Sequence, residues 1–236
     1  MKSLSLVLDL SASLFIGLVA TDKRAVLASR IREQGTRGEA AHGLLDECLE
    51  EADAGPGDIG SICVGVGPGS FTGIRVCLAM AQGLAFAKRI PLHPFSSLAA
   101  IAACRPTAAG SAGATADAFI AVIAANAGRY FARCEVPVAA SGGMAIPAGE
   151  TLLTADALTS LAATGATLIV SGNLPDRERF AAAFARVARF EDTADFVRMA
   201  RLAAEVPAAP EGAIRPNYLM ASAAEEKRRG SGAAPA

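Results

Sequence analysis

No tryptophan occurs in the 236 residues, and there are only two tyrosines and two histidines. The core must therefore be built from small aliphatic groups. His42 and His93 stand apart, with no H-x-x-x-H and no His/Cys/Asp cluster. The usual ligand sets for a transition metal are thus missing. There is no C-x-x-C pair either. Cys48, Cys63, Cys77, Cys104 and Cys134 are odd in number and scattered, which excludes a disulfide framework and reads as reduced core cysteine. Neither sign of charge predominates: the net charge is −1, which argues against gripping nucleic acid by bulk electrostatics. No run approaches the roughly 20 apolar residues of a membrane span. The apolar N-terminal stretch to Ala20 is interrupted by Asp9 and by Ser3, Ser5, Ser11 and Ser13, against the pattern of a signal peptide. A cytoplasmic protein away from the membrane is expected.

Hydrophobic residues make up 52% of the chain, enough for one large domain or two small ones. Residues 4–10, 14–20 and 25–32 read as three strands whose short connections permit only an antiparallel meander. Residues 39–53 form an amphipathic helix with Ala41, Leu44, Leu45, Cys48, Leu49 and Ala52 on one face. A strand over 60–66 follows, and the helix before it implies a crossover and parallel pairing. Residues 90–98 give a strand and turn, and 97–104 a short helix. An Ala/Gly/Ser/Thr-rich linker spans 105–116. A second hairpin is expected over 117–125 and 129–136, a helix over 151–163 capped by Thr151 or Thr154, and a strand over 166–171. Helices over 176–188 and 193–205 complete the pattern. Each half thus begins with a hairpin and later has a helix, a strand and a helix. This outline predicts an α/β protein of two ribonuclease-H-like domains, 1–104 and 105–205. Segment 206–222 is expected to pack back on the first domain, and 223–236 to be a disordered tail.

The most informative stretch is Gly65-Val66-Gly67-Pro68-Gly69-Ser70-Phe71-Thr72-Gly73-Ile74-Arg75. It follows a strand and opens a helix, the layout in which backbone N–H groups face an anion. Its letters fit neither phosphate fingerprint. A Walker loop needs Lys and Ser/Thr where Ile74 and Arg75 stand, and the dinucleotide fingerprint needs Gly where Thr72 stands. Two readings follow. Gly67, Gly69, Ser70, Thr72, Gly73 and Arg75, with Asp9 at the end of the first strand, could contact an anion or nucleotide. Alternatively, the glycines permit close packing while Ser70 or Thr72 caps the helix. The helix over 74–88 is apolar nearly all round. Ile74, Cys77, Leu78, Ala81 and Leu84 form one face; Ala79, Met80, Gly83, Phe86 and Ala87 form a second. Such a helix is covered on both sides, one by its own sheet and the other by a further helix or another protein.

The run Val64 to Arg75, with Ala79 and Ala81-Gln82-Gly83-Leu84-Ala85 after it, resembles the signature of the TsaB (YeaZ) family. Leu6-Val7-Leu8-Asp9 with Ser11, His42 before Leu44-Leu45, Pro94-Phe95-Ser96-Ser97-Leu98 and Arg215-Pro216-Asn217-Tyr218-Leu219 resemble further segments of that family. The resemblance implies a fold of the acetate kinase–sugar kinase–actin (ASKHA) type. It implies a non-catalytic subunit that helps place threonylcarbamoyl on the adenosine beside the anticodon, in tRNAs reading codons that begin with A. The implied partners are TsaD, which performs the transfer, the ATPase TsaE, and a second copy of the chain; tRNA is met only through the complex. The implied interface is Ile74, Ala79, Met80, Gly83, Phe86 and Ala87, with Leu44 and Leu45 of the first helix. No catalytic residue, metal or cofactor of its own is implied, and ATP or ADP would enter only at the shared interface. The chain departs from the family at Ala125-Asn126-Ala127, where Asp-Ala-Arg is usual, and at Met220, where Arg usually follows Leu219. Two other functions fit the fold: a nucleotide-dependent phosphotransferase, which would use Asp9 and Mg²⁺, and a metallopeptidase-like hydrolase.

Overall fold

The computed structural model describes residues 3–21, 25–32, 40–103, 118–136, 149–189, 205–210 and 212–220. The first meander forms as the apolar runs require: β1 (Leu4–Asp9), β2 (Leu14–Ala20) and β3 (Ala25–Arg32). The first helix, α1 (Ala40–Glu51), crosses to β4 (Ile59–Gly65), which pairs parallel to β1 with Leu8 opposite Val64. The long helix α2 (Phe71–Lys88) then returns the chain to β5 (Leu92–Phe95), giving the order β3-β2-β1-β4-β5. Pro94 is tolerated in β5 because this strand is at the sheet's edge. After α3 (Ser97–Ala103), the second sheet contains β6 (Phe119–Ala124), β7 (Arg129–Glu135), β8 (Glu150–Thr154), β9 (Thr167–Ser171) and β10 (Val187–Arg189). Its helices are α4 (Ala155–Ser160) and α5 (Arg177–Ala183).

The order β8-β7-β6-β9-β10 repeats the first sheet strand for strand, with α4 and α5 in the places of α1 and α2. β1 and β2 are buried along their whole length, so successive side chains feed different layers. Leu6, Leu8, Leu14, Ile16, Leu18, Ile62 and Val64 face α1 and α2. Val7, Phe15, Val19 and Cys63 face the other way, where they meet α3 and the second sheet's Phe119, Ala121, Ile123, Phe131 and Ile169. Ile120, Val122, Tyr130, Leu168 and Val170 pack under Phe180 and Phe184 on the far side. The two sheets therefore share one apolar layer, with α3 inside it.

Two expectations require correction. The start of the helix expected over 151–163 is strand β8; the helix begins only at Ala155, where Thr154 caps it through a bond from the Ala157 N–H. The alternation Leu152/Leu153 is too short to separate the two periods, and pairing with β7 decides for the strand. The helix expected over 176–188 stops at Ala183 and is followed by β10, which pairs parallel to β9. The strand expected within 90–98 is β5, which contains His93. The linker 105–116, the tail 223–236 and all but the end of the helix expected over 193–205 lie outside the described residues.

The β6–β7 hairpin turns through Asn126-Ala127-Gly128, with φ +58° at Ala127 and +64° at Gly128. Two adjacent positive φ angles are what a tight hairpin requires, but alanine carries a Cβ that opposes this conformation. Ala127→Asn should therefore raise stability by about 1 kcal/mol, read as a shift of the urea midpoint at unchanged m-value.

Candidate functional site

The C-terminal end of β1 meets the end of β9 between the sheets. Parallel strands commonly present a ligand crevice at such ends. Asp9, Ser11, Ala12, Ser13, Phe15, Ile31, Ile101 and Ser171 line a cavity there of about 20 Å³. That admits a water molecule, whereas a small-molecule pocket takes about 300 Å³ or more. Asp9 is buried, with 7% of its surface exposed, and its Oδ1 accepts a 2.8 Å hydrogen bond from the Ser11 N–H. Burial raises its pKa above the ordinary 3.8, while the nearby Ser11 and Ser97 groups draw it partly back. Neither hydroxyl completes a hydrogen bond, although both are fully enclosed. Among the described residues, no three His, Cys, Asp or Glu side chains are grouped so as to hold a metal.

The Gly-rich loop is packed against the turn that follows Asp9. A Cβ at Gly73 would fall 2.0 Å from the Leu10 carbonyl oxygen, and one at Gly69 2.3 Å from that of Ser11. At Gly65 the missing side chain leaves room for the Asp9 carboxylate, whose Cγ would otherwise be 2.5 Å from a Cβ. Several of the loop's polar groups are also engaged internally. The Ser70 N–H donates to the Ser11 carbonyl at 2.7 Å, the Ser97 N–H to Gly67 at 2.9 Å and the Asn217 N–H to Val66 at 2.7 Å. Ser70 caps α2, its Oγ accepting from the Gly73 N–H at 3.2 Å. Thr72 is exposed on the first turn of α2. Arg75 turns away from the loop: its guanidinium lies 3.9 Å above the Phe71 ring, and its Nε donates to the Tyr218 hydroxyl at 3.0 Å. Apart from Thr72, the anion-contact set is therefore held by packing and capping contacts within the chain.

The expected interface set divides in two. Ile74, Met80, Leu44 and Leu45 are buried in the chain's own core and have no surface to offer. Ala79, Gly83, Phe86 and Ala87 are exposed, and Phe86 has 79% of its surface in solvent. They continue a stripe from Thr72 and Arg75 that ends beside the ring of Tyr218, stacked on Phe71 at 4.6 Å. The C-terminal segment reaches this point along the edge strand. His93 Nδ1 donates to the Val206 carbonyl at 2.7 Å, the Ala209 N–H donates to Leu92 at 2.8 Å, and Ile214 is buried beneath α2 and its neighbours. Glu150 was not foreseen as a site residue. It accepts hydrogen bonds from Ser96 and, at 2.8 Å, from the Asn217 amide. Sequence offers no local signal for it, since its partners lie 54 and 67 residues away.

The strand order, the loop packing and the exposed α2 stripe can now be set beside known proteins. Solved structures from Pseudomonas aeruginosa superpose over 92% of this chain and 100% of theirs. One is described as similar to peptidase YeaZ (TM-score 0.66, 22% identity) and another as YeaZ (TM-score 0.62, 21% identity). The chain therefore has the fold of these YeaZ structures. Proteins named tRNA threonylcarbamoyladenosine biosynthesis protein TsaB share 44% identity over 59 residues in Haemophilus influenzae and 42% over 64 residues in Bacillus subtilis. These matches span about a quarter of this chain (25% and 27%) and a quarter of each relative (25% and 26%). Residues 38–134 also match the model of TsaD, tRNA N6-adenosine threonylcarbamoyltransferase. The fold is thus the α/β, two-sheet arrangement expected from the sequence. No helix among the described residues is long and apolar enough to cross a membrane.

Two tests follow from this geometry. Gly73→Ala should destabilise the fold by about 3 kcal/mol, because backbone rather than a movable side chain blocks the Cβ. Gly83→Ala, which meets nothing within 4 Å, should instead stabilise α2 by roughly 1 kcal/mol; thermal unfolding of both variants checks the contrast. The second test concerns Asp9. Its folded carboxyl holds a proton to higher pH than the unfolded one, so stability falls as pH rises through that interval. Asp9→Asn keeps an acceptor for the Ser11 N–H and should melt higher than wild type at neutral pH, the difference vanishing below the ordinary value of 3.8.

Proposed function

We propose that the chain is a non-catalytic subunit of the machinery that makes threonylcarbamoyladenosine in tRNA, and that it acts by docking on a TsaD-type transferase. One observation carries this reading: α2 presents Ala79, Gly83, Phe86 and Ala87 to solvent, a large aromatic among small residues. A phenylalanine left mostly exposed on an ordered helix costs hydrophobic free energy, about 25 cal/mol per Å² of apolar surface, that a partner would recover. The small residues allow a partner's helix to approach closely. Similarity to TsaB proteins over about a quarter of the chain (25% and 27%), and to the TsaD model over residues 38–134, supplies the chemical context. A second copy of the chain would use the same stripe when the transferase is absent. TsaE and tRNA join through the complex, and the work takes place in the cytoplasm, where tRNA is modified. No cofactor belongs to this chain in the proposal; ATP or ADP enters at the surface shared with the transferase.

Titration calorimetry with the TsaD-type protein of the same organism tests this directly. Phe86→Glu should abolish measurable binding while leaving the melting temperature within a few degrees of wild type, because no core contact is lost. Ala79→Glu should act likewise. If both variants bind as wild type does, the docking face lies elsewhere. Magnesium-dependent binding of ATP by the isolated chain would favour the phosphotransferase alternative.

A further inference from the structure

A chain of contacts runs from the second sheet to the exposed face of α2, through two adjacent residues of the C-terminal segment. At its origin is Glu150, the first residue of β8, whose side chain is only 13% exposed. One carboxylate oxygen accepts from Ser96, which also caps α3 through a 3.1 Å bond from the Ala99 N–H. The other accepts from the Asn217 side-chain amide at 2.8 Å. Among the described residues, Arg133 Nη1 lies 3.9 Å from the Glu150 carboxylate. Asn217 is held a second time by its backbone, which donates to Val66 in the Gly-rich loop at 2.7 Å. With both its side chain and its N–H fixed, Asn217 leaves little freedom for the residue that follows. That residue, Tyr218, stacks on Phe71 and accepts a hydrogen bond from Arg75. Phe71 and Arg75 open the helix whose far end carries Phe86.

We propose that Glu150 is a positioning residue for the docking face: through Asn217 it fixes Tyr218, and with it the Arg75–Phe71–Tyr218 platform that forms the N-terminal end of the surface a partner meets. The proposal rests on the docking reading above and deepens it by extending the face beyond α2. The platform fits a partner that offers a carboxylate beside an apolar group. Arg75 spends its Nε on Tyr218 and stacks one face on Phe71, which pre-orients the terminal nitrogens of its fork. A charge-neutral hydrogen bond would hold Asn217 less firmly than the Glu150 carboxylate, since bonds to ionised acceptors are about twice as strong.

The chain contains only two tyrosines and no tryptophan, which provides a direct readout. In a Tyr130→Phe background Tyr218 is the sole emitter, and acrylamide quenching of its fluorescence reports how firmly it is seated, with no partner present. Glu150→Ala and Asn217→Ala should each raise the quenching constant and weaken binding of the TsaD-type protein about fivefold or more. Glu150→Gln, which keeps one acceptor, should fall between. Asn217→Ala preserves the backbone bond to Val66, so it remains informative if Glu150→Ala folds poorly. Unchanged quenching in both alanine variants overturns the proposal. Raised quenching with unchanged affinity, while Phe86→Glu still abolishes binding, also overturns it. If Phe86→Glu fails to weaken binding but the quenching constant rises, the docking reading falls and the positioning role for it falls with it.

Discussion

Two carbonyl oxygens, those of Leu10 and Ser11, occupy the space where side chains at residues 73 and 69 would have to be. This fit of a loop against a turn sets much of what surrounds it. It places the end of β1, and hence Asp9, against Gly65. It uses the Ser70 N–H on the Ser11 carbonyl and lets Ser70 cap α2, which fixes where that helix starts and which residues it exposes. It also brings Val66 and Gly67 within reach of Asn217 and Ser97, so the C-terminal segment and α3 are held by the same loop. A phosphate-type layout of strand, glycines and helix is here packed against the protein itself, with the Ser70 N–H on the Ser11 carbonyl and the Gly73 N–H on the Ser70 hydroxyl.

The Asp9 neighbourhood illustrates the balance that results. A buried carboxylate is costly unless it is hydrogen-bonded or neutralised. Here one backbone N–H bonds it directly, and two enclosed serine hydroxyls lie nearby without partners of their own. The cavity beside it is too small for more than water. Its conformation is therefore set by packing between the sheets, in contrast to the exposed α2 face, where small residues and Phe86 leave contacts unmade.

Much of the first half was legible because its signals are local. Three short apolar runs with tight connections could only be a meander, and the spacing of Ala41, Leu44, Leu45, Cys48 and Leu49 gave α1 its buried face. Ser70 as a cap was one of two candidates that sequence allowed. The second half was harder to read. Leu152 and Leu153 can serve a strand or a helix, and only pairing with β7 settles the matter. Val187 likewise joins a sheet through β9, a contact no window of sequence contains. The periodicity of α2 grouped Met80 with Ala79 and Gly83, whereas the helix's actual rotation buries Met80 and exposes its neighbours. Glu150 escaped notice for a related reason: an isolated acid at a strand's start looks like surface until the fold brings Ser96 and Asn217 to it.

The apolar layer shared by the two sheets has a consequence for how the molecule meets another. In it Val7, Phe15, Phe119 and Phe131 belong to one buried cluster with Leu98 and Ile101 of α3. Opening the sheets like a hinge would wet all of these side chains together. The protein should therefore present a partner with a fixed template instead of a closing jaw, and little ordering entropy would be lost on its side of the contact. The heat-capacity change of association would then scale with the apolar area of the docking face alone, with no added contribution from refolding inside this chain.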